Sequence, residues 1–284
     1  MSERHNRLTS PEGFLVDAYS LMDDEKDEIL KQAGIKANFR GIKIIKTTNG
    51  SGLANIARTL EAEQFKEAFD NSPEDMVDLY GEHEKASHFY MALTTTQSGG
   101  IKSAKAIGVL RAIEGGIGDS ITSRTIPGDA ILDEESFDLS KVFEGKTISP
   151  EKDKVWDIGT VAIDKEYRKS SGNGKKKAGL AGLSLYRALY WDMAREQVDF
   201  MTAMADYRLL KRLDGLGVPM KRFSGVKPEF GYKGSERTSA VIGYVPDFRR
   251  EVLDHSVEQR ELASMAVFLV LLVGAVRRPE VYST

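Results

Sequence analysis

The sequence contains no cysteine. That excludes disulfides, thiolate metal sites and a cysteine nucleophile, and it leaves the redox compartment undetermined. Histidine is scarce. Only His83 and His88 lie close together, and their spacing of five falls outside the HExxH pattern that sets two imidazoles on one helix face. No metal site is therefore expected. A dominant charge sign is missing too: 40 Lys and Arg face 43 Asp and Glu, a net charge of -3. No nucleic-acid partner is expected, and any basic function must be local. The N-terminal stretch Met1–Pro11 lacks the apolar segment of a signal peptide, which points to the cytoplasm.

Long apolar runs are absent but for one. Met265–Val276 is unbroken and is followed by Arg277 and Arg278. With Leu262 and Ala263 it reaches about 15 residues, a helix of about 22 Å against a hydrocarbon core of about 30 Å. A buried helix or a homodimer seam is expected. A peripheral membrane-docking tail is the alternative.

What is present suits a globular protein: 41% apolar and 29% charged residues. Residues 1–40 read as a charged, peripheral N-terminal extension, with a helix over Asp23–Gln32. Residues 41–246 read as the main domain, and 247–284 as a C-terminal helical extension carrying the apolar segment. Strands are predicted at Gly41–Thr48, Phe89–Thr95 and Lys105–Ile113, the last two as a hairpin. A helix over Leu53–Asp70 stops at Asn71-Ser72-Pro73, and a short one follows at Glu74–Tyr80. Glu114–Pro150 reads as a long excursion. Then come a strand at Lys154–Asp164, a basic loop at Tyr167–Lys177, a helix at Ala178–Gln197, a strand at Val198–Ala205 and a helix at Asp206–Leu216. Met220–Val226 and Ser239–Val245 read as the last strands, and Asp247–Val276 as largely helical. The class expected is α/β or α+β, with a mixed sheet.

The segment that carries chemistry runs from Val155 to Ala205. Arg168, Lys169, Lys175, Lys176 and Lys177 gather five cations with no acid among them, beside Gly172, Gly174 and Gly179. Cations, glycines and a helix start together suit an anion such as phosphate. A solvated surface loop is the competing reading. On the preceding strand, Asp157 sits among apolar residues. Desolvation there would raise its pKa toward base work near neutral pH; an exposed Asp paired with a lysine is the alternative. Glu82, Glu84 and Asp206 are further base candidates. Arg111 interrupts an apolar strand, so it reads either as a bidentate binder of a substrate carboxylate or as half of a structural ion pair.

These residues resemble the GNAT superfamily of N-acetyltransferases. Val161-Ala-Ile-Asp-Lys-Glu-Tyr-Arg168 is similar to the family's strand end. Lys176-Lys-Ala-Gly179-Leu-Ala181 is similar to its Gln/Arg-x-x-Gly-x-Gly/Ala motif, with Lys176 in the first position. Asp206 through Leu216-Gly217-Val218 resembles a later Asn-to-Leu-Gly-Phe pattern. Leu213 replaces a tyrosine that commonly serves as general acid, which argues against acetyl transfer of that kind. The nearer resemblance is to long-chain N-acyl amino acid synthases and acyl-homoserine-lactone synthases. It rests on Gly108-Val109-Leu110-Arg111 and Trp156-Asp157-Ile158-Gly159.

The resemblance implies a GNAT-like sheet, mixed and mostly antiparallel, flanked by helices. It implies an acyltransferase that moves an acyl group from acyl-CoA or an acyl-carrier protein, as co-substrate, to a small-molecule amine, with no permanently bound cofactor. Thr160, Val161, Ala162 and Ile163 would offer backbone groups to the pantetheine arm, and one amide there would polarise the thioester carbonyl. Arg168, Lys176, Lys177, Ala178, Gly179, Leu180 and Ala181 would hold phosphate. Arg111 and Glu84 would face the second substrate, and Asp157 and Asp206 would move protons. Two alternatives stand beside this reading: an acetyl-CoA-dependent N-acetyltransferase of small amines, and a non-catalytic membrane-peripheral module.

Overall fold

The computed structural model describes residues 16–98, 100–132, 138, 141, 146–149, 151–169, 172–215, 217–259 and 280–282. The apolar run Met265–Val276 and residues 1–15 lie outside them. In chain order the main elements are α1 (Asp23–Gln32), β1 (Lys43–Thr48), α2 (Gly52–Phe69), α3 (Pro73–Tyr80), β2 (Ser87–Ser98) and β3 (Ile101–Gly115). A short α4 (Ile121–Arg124), β4 (Val155–Ile163), α5 (Lys165–Lys169), α6 (Asn173–Arg195), β5 (Phe200–Asp206) and α7 (Tyr207–Gly215) follow. The chain continues with β6 (Lys221–Arg222), β7 (Phe230–Tyr232), β8 (Ser235–Tyr244), α8 (Val245–Gln259) and β9 (Glu280–Tyr282). The class is a mixed, mostly antiparallel α/β one. Among the described ladders, parallel pairing is confined to β1–β9 and β4–β5.

Two compact units alternate along the chain. The first comprises Met1–Arg111, Thr160–Leu185 and Arg278–Thr284. Its strands run in the order β4-β3-β2-β1-β9. The helix ends follow from local chemistry. Ser51 caps α2 by accepting from the Ala54 amide at 3.2 Å, and Asp70 ends the helix in the left-handed region. Ser72 and Asp75 form a capping box around α3, with Pro73 in its first turn. The apolar faces of α1 and α2 close over β1 and β2, burying Leu30, Ile45, Leu53, Ile56, Leu60, Phe89, Met91 and Leu93. Full burial of each such large side chain contributes about 1.5–3 kcal/mol.

The described part of the N-terminal segment, from residue 16 on, contributes to the core of this unit. Ala18, Tyr19, Leu30 and Ile35 are buried in this unit. The β2–β3 hairpin turns at Gly100 (φ +82°), and Thr96 meets Ser103 across it at 2.9 Å. Gly108, in the Gly-Val-Leu-Arg segment, has to be small. A Cβ there would lie 2.6 Å from Ile163 Cδ1 and 3.2 Å from Leu185 Cδ1.

The second unit comprises Ala112–Gly159 and Tyr186–Arg277. Its strands run in the order β6-β8-β5-β4-β3, with β7 beside β8. Ile117, Ile148, Val155, Phe200, Phe223, Val226, Phe230 and Ile242 form its core. The parallel β4–β5 ladder is short: Val155 pairs with Phe200, Trp156 with Met201 and Asp157 with Thr202. Both strands extend past its last pair, β4 to Ile163 and β5 to Asp206.

Candidate functional site

The densest polar assembly of the first unit is buried. Along α2, Arg58, Glu61 and Gln64 recur every three residues and are all buried, a polar stripe on a helix otherwise packed into the core. From β3, Arg111 reaches this stripe with no exposed surface. Its Nε donates to both Glu61 oxygens at 3.2 and 3.1 Å. Its Nη1 donates to Glu84 Oε1 at 3.0 Å and Ser87 Oγ at 3.3 Å. Its Nη2 donates to Tyr19 Oη and Glu61 Oε2, each at 2.7 Å. Arg58 Nε donates to Glu84 Oε2 at 3.0 Å. Two guanidinium groups thus neutralise two carboxylates.

Arg111 and Glu84, both candidates for the second substrate's side, lie together in this cluster. They meet each other, however, and every nitrogen of Arg111 already serves a protein acceptor. The ion-pair reading of Arg111 holds, and a substrate carboxylate would have to displace Glu61.

Thr160, on β4, extends the assembly. Its hydroxyl donates to Glu61 Oε1, so the Tyr80 hydroxyl, 3.1 Å away, donates to Thr160. Burial pushes the Glu61 carboxyl above its ordinary range, against the pull of Arg111 and of the Thr160 hydrogen bond. Burial also opposes ionisation of Glu84, but the Arg111 charge and the Arg58 hydrogen bond overcome it and hold Glu84 down at about 2. Glu61 escaped the sequence reading. Its one local signal was the polar three-residue repeat on an apolar helix.

Asp157 lies in the second unit and is a structural tie. It is 3% exposed. Its carboxylate accepts from Ser120 Oγ at 2.7 Å, the Thr122 amide at 2.8 Å, Thr122 Oγ1 at 3.1 Å and Thr202 Oγ1 at 3.1 Å. Burial raises its pKa, and the four donors do not cancel that rise. They fasten α4 and its cap residue Ser120 to β4 and β5. Asp206 is likewise engaged. It accepts from the Arg208 amide at 2.8 Å and Ser235 Oγ at 3.2 Å, which caps the start of α7.

The basic segment differs from the expected loop. Residues 165–169 form α5, and α6 begins at Asn173 rather than at Ala178. Lysine is a good helix former and Lys175–Lys177 extend the helix toward its N-terminus, so Gly174 is absorbed into the first turn. The Lys176 amide already bonds to the Gly172 carbonyl at 3.2 Å. Lys176, Lys177, Ala178, Gly179, Leu180 and Ala181 therefore offer side chains and an open helix face, not the free amides of a cradle. Added Cβ atoms at Gly179 and Gly182 would meet nothing within 4 Å. Ala181 is buried and Leu180 is 47% exposed. Arg168 is tied to α2, with Nη2 donating to Gln64 at 2.7 Å, and Lys169 pairs with Glu67 at 2.6 Å. Val161, Ala162 and Ile163 are half-buried on β4.

Lys177 lines a cavity of about 540 Å³ in the first unit, together with Arg40, Lys102, Phe39 and Thr94. Among the described residues no group of three or more His, Asp or Glu side chains is placed to hold a metal. Among the described residues no helix is long and apolar enough to cross a membrane.

No family model and no curated protein matches the chain. Solved structures do. The N-acyl amino acid synthase FeeM from uncultured soil microbes is 11% identical; the match covers 76% of this chain and 98% of FeeM, with a TM-score of 0.48. A CoA-dependent acyl-homoserine lactone synthase, BjaI, solved with SAM and isopentyl-CoA, is 14% identical over 78% of this chain and 91% of BjaI, also at 0.48. A putative N-acetyltransferase from Lactobacillus plantarum is 14% identical over 72% of this chain and 99% of that one, at 0.40.

Proposed function

We propose that this chain is an N-acyltransferase that moves an acyl group from a thioester donor, acyl-CoA or an acyl-carrier protein, to a small-molecule amine. One observation carries the reading: β4 leads through α5 into a helix whose early turns present Lys176 and Lys177 beside the open faces of Gly179 and Gly182. Cations beside a side-chain-free helix face suit a phosphate-bearing donor lying close against the backbone. Val161, Ala162 and Ile163 would run along the pantetheine arm.

In the reaction the amine nitrogen attacks the thioester carbonyl carbon. A tetrahedral adduct forms and collapses: the C–N bond forms, the C–S bond breaks, the nitrogen gives up a proton, and the sulfur leaves as thiolate and takes up a proton from solvent. We assign proton removal to Glu61 acting through Thr160: the Thr160 hydroxyl takes the amine proton while passing its own to the carboxylate. Both Glu61 and Asp157 are buried with raised pKa values, but Glu61 has the Thr160 hydroxyl of β4 as a relay, whereas the donors on Asp157 come from α4, its cap and β5. The donor is a co-substrate, and no permanently bound cofactor enters the scheme.

The test is to incubate the full chain with acyl-CoAs of graded length and with acyl-carrier protein, offer a panel of amino acids and amines, and follow thiol release. Mass spectrometry of the products identifies donor and acceptor together. Thiol release that depends on an amine is expected. No amine-dependent release from any donor would overturn the proposal.

A further inference from the structure

We propose that Asn49 and Gly50, in the turn between β1 and α2, form a modification site at which water converts the Asn49 side-chain amide to a carboxylate, with the Arg58 guanidinium as the activating group. The inference needs no thioester donor and stands apart from the acyltransferase reading.

The nucleophile is the first argument. Asn49 and Gly50 are both exposed. Gly50 has a φ of +95°, a region that glycine enters without steric cost, and a Cβ there would meet nothing within 4 Å. No described residue accepts a hydrogen bond from its amide. The nitrogen that follows Asn49 in the chain therefore has no side chain to shield it and no described acceptor to hold it.

The electrophile is the second, independent argument. Arg58 Nη2 donates to Asn49 Oδ1 at 2.5 Å. That guanidinium is fixed in place. Its Nε and Nη2 hold Glu84 Oε2 at 3.0 and 2.5 Å, its Nη1 holds Asn55 Oδ1 at 2.6 Å, and the Phe89 ring lies 5.1 Å from its central carbon. Arg58 is buried. A buried cation set on a carbonyl oxygen draws electron density from the carbon and stabilises the oxyanion that forms when a nucleophile adds.

The Gly50 nitrogen attacks Asn49 Cγ. The N–Cγ bond forms, the Cγ–Nδ2 bond breaks, and the Gly50 N–H proton leaves with the departing nitrogen as ammonia. A five-membered succinimide ring remains. Water opens the ring at either carbonyl, and the Gly50 nitrogen regains a proton. Opening at Cγ leaves aspartate. Opening at the main-chain carbonyl leaves isoaspartate, with the chain routed through Cγ. Either product puts a new negative charge in the turn that Arg58 holds beside Glu84. Isoaspartate also lengthens the link from β1 to Ser51, the cap of α2.

The sequence contains one other Asn-Gly pair, Asn173-Gly174, in the first turn of α6. It serves as the internal reference. The full chain is held at neutral pH in heavy-oxygen water, folded and, in parallel, unfolded in urea, and its peptides are mapped by mass spectrometry at intervals. Position 49 should lose its amide and gain a heavy oxygen about tenfold faster in the folded chain than in urea, equal to about 1.4 kcal/mol off the barrier. Position 173 should convert more slowly folded than unfolded. Asn49→Gln, which would need a six-membered ring, should stay unconverted. An Arg58→Lys variant, shown to be folded by its thermal midpoint, should lose the acceleration. If folding slows position 49 as it slows position 173, or leaves its rate unchanged, the fold does not activate the turn and the inference fails. A folded Arg58→Lys variant that converts as fast as wild type would overturn the role of Arg58. Should that variant not fold, the comparison of folded with unfolded wild type still decides.

Discussion

Arg111 grips Glu61 at two points, Nε with both carboxylate oxygens and Nη2 with Oε2 at 2.7 Å, and neither side chain has any exposed surface. Removing two charges from water costs several kcal/mol per ion, and mutual attraction offsets that only where the remaining donors and acceptors are also met. Here they are. Tyr19, Ser87 and Glu84 take the other Arg111 donors, and Thr160 donates to Glu61. The Tyr80 and Phe89 rings lie 4.1 and 4.5 Å from the guanidinium carbon and add cation–π contacts.

Breaking this pair from one side should therefore be severe. Arg111→Leu leaves Glu61 buried without its cation, at a cost of about 3–5 kcal/mol. The double variant Arg111→Leu/Glu61→Leu should recover part of that, because no buried charge is then stranded at position 61. Urea unfolding of the three proteins measures both. A single Arg111→Leu variant within about 1 kcal/mol of wild type would refute the account of the pair.

The same cluster predicts an acid limb of stability. Glu84 is held at about 2 in the folded chain, below its ordinary value of 4.5. A depressed carboxylate stabilises the fold above the unfolded pKa, and that contribution is lost as pH falls through the folded one. The window is thus about pH 4.5 down to about pH 2, and the full effect is about 3 kcal/mol. Glu84→Gln should flatten this part of the curve of unfolding free energy against pH relative to wild type. Parallel curves for the two proteins would show that Glu84 does not supply the linkage.

The sequence made the main fold legible where one period dominates. Ile56, Leu60, Phe65 and Phe69 mark α2 at helical spacing, and Asn71-Ser72-Pro73 marks its end; the helix observed is Gly52–Phe69. The start of α6 was hidden because Gly172 and Gly174 look like loop residues, whereas the lysines that follow favour helix. Within the cluster, Arg111 stood out as a charge in an apolar strand. Its partners did not, since Glu61 lies 50 residues away and Tyr19 lies 92 away. No local pattern encodes such a contact. Asp157 shows the converse. Its burial was legible, but the four donors that occupy it come from residues 35 to 45 positions distant.

Asp206 gives a prediction that separates support from chemistry. Its carboxylate caps α7 through the Arg208 amide and holds Ser235. Asp206→Ala should cost about 1 kcal/mol, typical of a lost helix cap, with kcat of the folded protein unchanged. A folded Asp206→Ala protein with kcat reduced a hundredfold would restore it as a proton-transfer residue.

Thr160 provides the sharpest test of the proton path. The base must be ionised to work, so kcat should fall as pH drops through the Glu61 pKa. Because burial raises that pKa, the acid limb of the profile should lie above the ordinary glutamate value of 4.5. Thr160→Val removes the hydroxyl that joins Glu61 to the amine and should lower kcat by about 10²–10⁴-fold. It leaves the Arg111–Glu61 pair in place, so the loss should not follow stability. Thr160→Ser keeps the hydroxyl and should retain most of the rate with the same acid limb. If Thr160→Val turns over like wild type, or if its acid limb is unmoved while kcat is unchanged, the hydroxyl only fills its place in the buried cluster and the base lies elsewhere.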